Sequence, residues 1–190
     1  MRHALAILML MAVPMAVCYW VMVHSLISFW RRLGLTFAYP LMVLVLFALI
    51  VAIFSSRARL LGEDYGPNQF LILLAGLLIL TDVWLFILVK RQISPATFIG
   101  LPELDPQGYP AKLITGGIYT RMRHPRYTQV MLMIFSCSLL VNCLGIYFLC
   151  LASIPSFCFV AWLEERELIR RFGREYLEYR KRVPMFIPKL

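Results

Sequence analysis

The stretch QFLILLAGLLILTDVWLFILV, residues 69 to 89, decides the fold class because it is apolar over almost its whole length. A helix of about 20 such residues crosses a hydrocarbon core of about 30 Å and satisfies its own backbone hydrogen bonds. The whole chain has 61% hydrophobic and only 15% charged residues, whereas soluble domains have roughly 45–50% apolar residues. The sequence therefore predicts an all-α integral membrane protein.

Five stretches of this kind predict five transmembrane helices in a single membrane domain. Besides residues 69 to 89, they are residues 4 to 30, 37 to 56, 128 to 142 and 144 to 163. The last two belong to one apolar run that must turn near Asn142, so we expect a tight helical hairpin there.

The Lys and Arg residues predict the orientation of the five helices. Sixteen of the 19 fall on one side of the membrane, including the eight between Arg166 and Lys189, and three fall on the other. Because loops rich in Lys and Arg stay in the cytoplasm, we expect a cytoplasmic C-terminus and an external N-terminus. The membrane would be the cell membrane of a prokaryote or the endoplasmic reticulum of a eukaryote. Topology and attraction to anionic lipid account for the net charge of +9, so nucleic-acid binding is not inferred.

A first polar block, residues 112 to 129, interrupts the apolar sequence before the fourth span. Pro is favoured in the first turn of a helix, so Pro125 is expected to begin that span. The free N–H groups of this turn, with Arg123 and Arg126 beside them, can form an anion site. The alternative is that these basic residues and Tyr127 only anchor the helix at the lipid headgroups.

A second polar block begins at Glu164 and Glu165 and is predicted to continue the fifth helix to about Arg182. Within it, Glu167 and Glu178 each have an arginine four residues later, which is the spacing of a helical ion pair. Glu164 and Glu165 have apolar residues at that spacing. They therefore need partners from elsewhere, either the arginine-rich loop or a ligand.

Two polar residues, His24 and Asp82, lie within predicted spans. For Asp82 we expect a hydrogen bond to another helix rather than catalysis, and His24 is left unassigned. The five cysteines lie in apolar spans without a paired C-x-x-C or a histidine at ligand spacing. We expect them to be small buried hydrophobic residues, and we expect no metal site.

Together the two blocks resemble the signature of the isoprenylcysteine carboxyl methyltransferase family and of its relatives, the membrane phospholipid methyltransferases. The first block matches from Gly117 and Tyr119 through the run Arg123-His124-Pro125-Arg126-Tyr127, and the second matches at Glu164-Glu165. The resemblance covers residues 112 to 188. It implies that residues 92–190 form a catalytic half and that residues 1–91 form a three-helix scaffold.

The resemblance also implies which residues form the site for S-adenosylmethionine, whose product is S-adenosylhomocysteine. The expected cofactor-binding residues are Lys112, Leu113, Ile114, Gly117, Tyr119, His124, Pro125, Arg126, Tyr127 and Glu164. The residues nominated for catalysis are His124, Arg123, Glu165 and Arg174.

One departure from the family pattern concerns the substrate. Eukaryotic prenylcysteine methyltransferases tend to carry an arginine just before the Glu pair, whereas residues 157 to 162 contain none here. The nearest replacements for a substrate clamp are Arg170 and Arg174, with Tyr176 and Tyr179. The resemblance to the family therefore supports the cofactor more strongly than it supports the identity of the substrate.

The expected activity is methyl transfer at the cytoplasmic membrane face to a lipidic substrate that enters from the bilayer. The expected acceptor is the carboxylate of a prenylcysteine-like molecule. A phospholipid or other lipid amine is the alternative acceptor, and it would need deprotonation by His124 or a glutamate. An NADPH-dependent sterol-type reductase is a further alternative, as is a small non-enzymatic transporter or assembly factor, although a transporter would carry more polar groups at mid-membrane.

Overall fold

The computed structural model describes residues 1–110 and 112–188, which form helices and loops without a β-strand. Over these residues the helices are α1 Arg2–Ser25, α2 Ile27–Leu33, α3 Leu35–Leu61, α4 Gln69–Lys90, α5 Pro95–Phe98, α6 Leu101–Leu104, α7 Pro125–Val141, α8 Leu144–Phe172 and α9 Arg174–Arg182. A 3-10 turn, Gly117–Thr120, precedes α7. Lys189, counted above for the orientation, lies outside the described residues.

Among the described residues, four helices are long and apolar enough to cross a membrane: α1, α3, α4 and α8. The fifth predicted span is α7, whose 17 residues extend over about 25 Å, slightly less than a typical hydrocarbon core. Gln129 near the start of α7 donates to Asp82 of α4, and Asn142 after its end donates to the carbonyl of Gly66 before α4. The apolar helices support an integral membrane protein, while the five-span count and the orientation stay predictions.

Two helices end earlier than the sequence predicts. The first predicted span is broken at Leu26, where φ is −111°, and the indole of Trp30 donates to the Met22 carbonyl across this break. The predicted helix from Glu164 to Arg182 is wrong at Gly173, which separates α8 from α9. Gly173 has φ of +54°, a left-handed conformation that glycine adopts without steric cost.

The predicted hairpin between α7 and α8 is confirmed. Asn142 turns the chain with φ of +50°, and α8 begins two residues later. At Gly145 a Cβ atom would lie 1.8 Å from the carbonyl oxygen of Leu60, so only glycine lets α8 pack this closely on the end of α3. Arg2 donates to the Val141 carbonyl and also pairs with Asp64.

The long connection between α4 and α7 has a defined path, and it contains two single-turn helices that the sequence did not predict. Arg31 of α2 donates to the carbonyl of Glu103, and Tyr19 of α1 donates to the carbonyl of Ile99. Tyr179 of α9 donates to the carbonyl of Tyr119. These bonds hold the connection across one end of the helices, where it covers the ends of α1 and α8.

The two polar blocks meet at this end of the molecule. The backbone N–H groups of Arg123 and His124 donate to the carbonyls of Pro184 and Met185, which follow α9. One face of the C-terminal segment is buried, because Tyr176, Tyr179 and Val183 form an apolar cluster with Leu113, Leu168, Ile169 and Phe172. This packing positions α9 beside the start of α7.

Candidate active site

A cavity lined by both charged and apolar side chains lies where the two blocks meet. It has two adjoining parts that open to solvent, and both parts are lined by Glu103, Tyr119, Arg123 and Glu164. We call the whole space the Glu164 cavity. Its walls come from α1, the long connection, α7, α8 and α9, so no single stretch of sequence builds it.

Most of the predicted cofactor residues line this cavity. They are Lys112, Leu113, Ile114, Tyr119, His124, Arg126, Tyr127 and Glu164. The other two shape the backbone behind it. Gly117 has φ of +57°, and a Cβ atom there would lie 2.5 Å from Gln92 Nε2, while Pro125 begins α7 as predicted.

Glu164 presents a partly used carboxylate to the cavity. Its Oε2 accepts a 2.6 Å hydrogen bond from the Tyr127 hydroxyl and lies 3.8 Å from His124 Nδ1. Its Oε1 has no hydrogen-bond partner among the described residues, and its side chain is 27% exposed. The prediction that this glutamate needs a partner from outside its own helix is confirmed, and one oxygen remains for a ligand.

Glu165 points into a closed ion cluster instead of the cavity. Its Oε1 lies 2.8 Å and 2.7 Å from Nε and Nη2 of Arg123, and 3.2 Å from His124 Nε2. Its Oε2 lies 3.2 Å from Arg180 Nε. We call these four side chains the Glu165 cluster. Because both oxygens are occupied and Glu165 is only 3% exposed, the structure assigns it to holding the two blocks together.

Arg123 lines the cavity, but its charge is already satisfied. Besides Glu165, its guanidinium bonds the carbonyls of Arg180 and Val183. Of the two arginines predicted to form an anion site at the start of α7, Arg126 is therefore the one without a carboxylate partner among the described residues. The central carbon of that guanidinium lies over two aromatic rings, 4.6 Å from the centroid of Trp20 and 4.2 Å from that of Phe98.

The structure does not bring Arg174, nominated above for catalysis, to the cavity. It is the exposed first residue of α9 and has no ion pair among the described residues. Arg170 is exposed as well and lines a separate depression beside His24. The expected ion pair from Glu178 to the arginine four residues later is also absent, because Lys181 lies 2.9 Å from its carboxylate instead.

Glu103 is a cavity residue that the sequence reasoning missed. It is 8% exposed, and its Oε2 is buried without a partner among the described residues. Burial, followed by the nearby charge of Glu164, raises the pKa of Glu103 to about 7. The sequence gave only one indication of Glu103 as a site residue, namely an acidic residue among prolines just before the matching block. Trp20 also lines the cavity, but it lies in the predicted scaffold and no sequence pattern indicated it.

Two tyrosines complete the wall near α9. Burial raises the pKa of the Tyr179 hydroxyl to about 12, and burial with the charge of Glu164 raises the pKa of Tyr119 further. Both stay neutral at physiological pH and act as apolar rings with one polar atom. Within the described residues, no group of three or more His, Cys, Asp or Glu side chains is placed to hold a metal ion.

Asp82 lies away from the cavity, and its predicted role is confirmed. Gln129 of α7 donates a 2.7 Å hydrogen bond to its carboxylate. His24 is buried against Trp20 with a ring-centroid distance of 5.4 Å, and neither ring nitrogen has a partner among the residues described.

Comparison with known proteins gives one relative and one family. A curated relative from Arabidopsis thaliana, protein-S-isoprenylcysteine O-methyltransferase B, is 34% identical over 85 residues. The aligned region spans 40% of this chain and only 40% of that relative's length. Residues 70–175, which include α7, α8 and all of α4 except its first residue, match the family described as phospholipid methyltransferase, PEMT. Because that match covers more than half of the chain, the protein belongs to the phospholipid methyltransferase family.

Proposed function

We propose that this protein transfers a methyl group from S-adenosylmethionine to a lipidic acceptor at the membrane surface. The observation that carries the proposal is the Glu164 cavity, which gathers both polar blocks in one place and has Arg126 in its wall. Family membership supports methyl transfer over the reductase and transporter alternatives. The relative's printed activity supports a prenylcysteine-like carboxylate as the acceptor.

The residues of the cavity fit S-adenosylmethionine. Glu103 Oε2 is buried without a partner among the described residues, and Glu164 Oε1 has no hydrogen-bond partner among them either. Both side chains can therefore accept hydrogen bonds from ribose hydroxyls or an ammonium group. The neighbouring wall of Leu113, Ile114 and Phe172 offers an apolar surface for the base. When bound, this cofactor supplies an electrophilic methyl group that an acceptor atom attacks while the carbon–sulfur electron pair stays on sulfur.

The chain's own contribution is orientation and exclusion of water. Tyr127 fixes Glu164, and the Glu165 cluster fixes the start of α7 relative to α8 and α9. A site that aligns two reactants away from bulk water removes much of the barrier to group transfer. A carboxylate acceptor is ionised at neutral pH, so it needs a cation that orients it and no general base. Arg126 supplies that cation.

A lipid amine is the second candidate acceptor, and Glu103 is the observation that favours it. A carboxyl group whose pKa is raised to about 7 can take a proton from an ammonium group near neutral pH. The family name, phospholipid methyltransferase, is compatible with this chemistry. An amine acceptor would make the methylation rate depend on the ionisation of Glu103, whereas a carboxylate acceptor would not.

The proposal is tested by calorimetric titration of the purified protein in detergent with S-adenosylhomocysteine, with NADPH as the parallel ligand. We expect saturable one-site binding of S-adenosylhomocysteine and none of NADPH. Binding of NADPH alone would move the protein to the reductases. We further propose that the cavity lies on the cytoplasmic side, as the Lys and Arg residues predict. We expect a membrane-impermeant thiol reagent applied to intact cells not to label a cysteine placed at exposed Arg174.

A further inference from the structure

A second depression lies between α1 and α8, outside the Glu164 cavity. Its wall is made of residues from the end of α1 and from the last turns of α8, namely His24, Ser25, Leu163, Arg166, Glu167 and Arg170. We call it the His24 depression. It shares no wall residue with either part of the Glu164 cavity, so it is a separate space that the proposed function does not use.

The imidazole of His24 is a buried polar group without a partner. His24 is 7% exposed, and neither ring nitrogen has a hydrogen-bond partner among the described residues. The Trp20 ring stacks on the imidazole with a centroid distance of 5.4 Å, which leaves the nitrogens at the edge of the ring. A buried polar group left without a hydrogen bond costs about 1–3 kcal/mol. This wall therefore favours a ligand that forms the missing bonds.

Glu167 adds a second unused acceptor to the same wall. Its Oε1 lies 3.0 Å from Arg31 and 3.1 Å from Arg171, so two arginines balance its charge. Its Oε2 is buried without a partner among the described residues. A carboxylate oxygen only accepts hydrogen bonds, and a neutral imidazole has one accepting nitrogen. Both groups match a ligand that carries hydroxyl donors.

Arg166 and Arg170 give the depression its positive charge. They are exposed and four residues apart, so they lie on one face of α8. Neither guanidinium has an ion-pair partner among the residues that the structure describes. Guanidinium N–H groups bind phosphate oxygens in bidentate pairs. The complete wall thus fits the phosphate ester of a polyol.

The position of the depression on α8 favours a lipid as the source of this group. Leu151, Phe159 and Trp162 are exposed apolar side chains on α8, which is long enough to cross a membrane. Arg166 follows Trp162 by one turn, and its guanidinium carbon lies 4.8 Å from the centroid of the Trp162 ring. Tryptophan is enriched where a membrane meets water, and basic pockets between transmembrane helices bind anionic headgroups. Arg166 and Arg170 therefore lie where lipid phosphates are found.

We propose that the His24 depression binds the headgroup of one anionic phospholipid that carries headgroup hydroxyls. The phosphate binds Arg166 and Arg170, and the hydroxyls donate to His24 and Glu167. This lipid connects the end of α1 to α8 at the membrane surface. It is a bound lipid rather than the methyl acceptor, so the inference goes beyond the proposed function.

The test counts bound lipids by native mass spectrometry of the detergent-purified protein. The probe is dioleoylphosphatidylglycerol, and dioleoylphosphatidylcholine is the parallel lipid without net charge or headgroup hydroxyls. The double variant Arg166→Gln/Arg170→Gln removes the cations, whereas His24→Phe keeps an aromatic ring and removes the nitrogens. The matched control is Arg121→Gln/Arg182→Gln, which removes the same charge from exposed positions outside the depression.

We expect the wild type to bind one phosphatidylglycerol in preference to phosphatidylcholine. The Arg166→Gln/Arg170→Gln variant should bind it roughly tenfold more weakly and His24→Phe roughly threefold more weakly, while the control binds it like the wild type. Phosphatidylglycerol should raise the thermal midpoint of the wild type but not of Arg166→Gln/Arg170→Gln, because a ligand of the folded state stabilises that state. The midpoints without lipid report whether each variant is folded.

Four results would overturn the inference. They are equal binding of phosphatidylglycerol by Arg166→Gln/Arg170→Gln and wild type, an equal loss in the control, wild-type binding by His24→Phe, or equal binding of the two lipids. Tighter binding of soluble glycerol 3-phosphate than of phosphatidylglycerol would overturn the assignment to a lipid. We expect Arg166→Gln/Arg170→Gln to bind S-adenosylhomocysteine like the wild type, so the two proposals can fail separately.

Discussion

The Glu165 cluster and the Glu164 cavity are neighbouring regions that contain adjacent glutamates, yet the two carboxylates differ in their exposure and in how many of their oxygens have partners. Glu165 has both oxygens occupied and a side chain 4% exposed, whereas Glu164 has one oxygen unused and a side chain 27% exposed. Successive residues of a helix point about 100° apart, so the pair is divided between two environments. The difference teaches that neighbouring glutamates of one helix can be used differently: Glu165 joins the two polar blocks, whereas Glu164 keeps one oxygen free of hydrogen bonds among the described residues.

The largest effect is expected from Glu165→Ala. Removing this carboxylate leaves Arg123 and His124 buried without their partner, and breaking a buried ion pair from one side costs about 3–5 kcal/mol. We expect a large fall in the thermal unfolding midpoint in detergent. The control is Glu178→Ala, which removes an exposed pair with Lys181 worth about 0–1 kcal/mol. Equal midpoints for the two variants would show that the cluster does not hold the blocks together.

The second effect concerns pH. Burial raises the pKa of Glu103 from 4.5 to about 7, so between these values the folded protein retains a proton that the unfolded chain releases. The stability from this proton is fully present below about pH 4.5 and is lost as pH rises through 7. Its size is of the order of 3 kcal/mol.

The variant Glu103→Gln isolates this titration, because the amide resembles the protonated acid at every pH. We expect similar thermal midpoints for variant and wild type at pH 5, and a clearly higher midpoint for the variant at pH 8. A gap of the same size at both pH values would mean that Glu103 does not titrate in this range.

The third effect separates binding from stability. Glu164→Gln keeps the size of the side chain but removes its charge, and a charge-assisted hydrogen bond contributes about 1.5–3 kcal/mol. We expect affinity for S-adenosylhomocysteine to fall roughly tenfold to a hundredfold, with little change in the unfolding midpoint. His124→Ala should lower both, since His124 contacts both glutamates. Full affinity in Glu164→Gln would remove Glu164 from the cofactor site.

The smallest effect is expected from Arg174→Ala. The structure places this arginine at the surface of α9, away from both polar regions. We expect cofactor affinity and methylation rate to change less than about twofold, as for any exposed residue without partners. A tenfold loss of rate with normal cofactor affinity would restore Arg174 as the substrate clamp and would argue against Arg126.

The parts of the candidate site that lie in short sequence motifs could be predicted from the sequence. The run from Arg123 to Tyr127 and the pair Glu164-Glu165 were recognisable as two blocks of one family, and the family match confirms that relationship. The pattern did not separate the two glutamates, because their difference lies in what packs against each side of α8. It also missed Glu103, whose burial depends on contacts with α2 and α8.

By itself, the sequence determined the all-helical class, the apolar helices, the start of α7 at Pro125 and the turn at Asn142. These features are local. The length of an apolar run defines each helix, the missing N–H of Pro125 favours the start of α7, and the turn at Asn142 involves only a few residues. Only the tertiary structure decided that Glu165 is enclosed, that Glu103 joins the cavity and that Arg126 lines it without a carboxylate partner among the described residues. Those outcomes depend on side chains from helices far apart in sequence, whose distances and burial arise only when the helices pack.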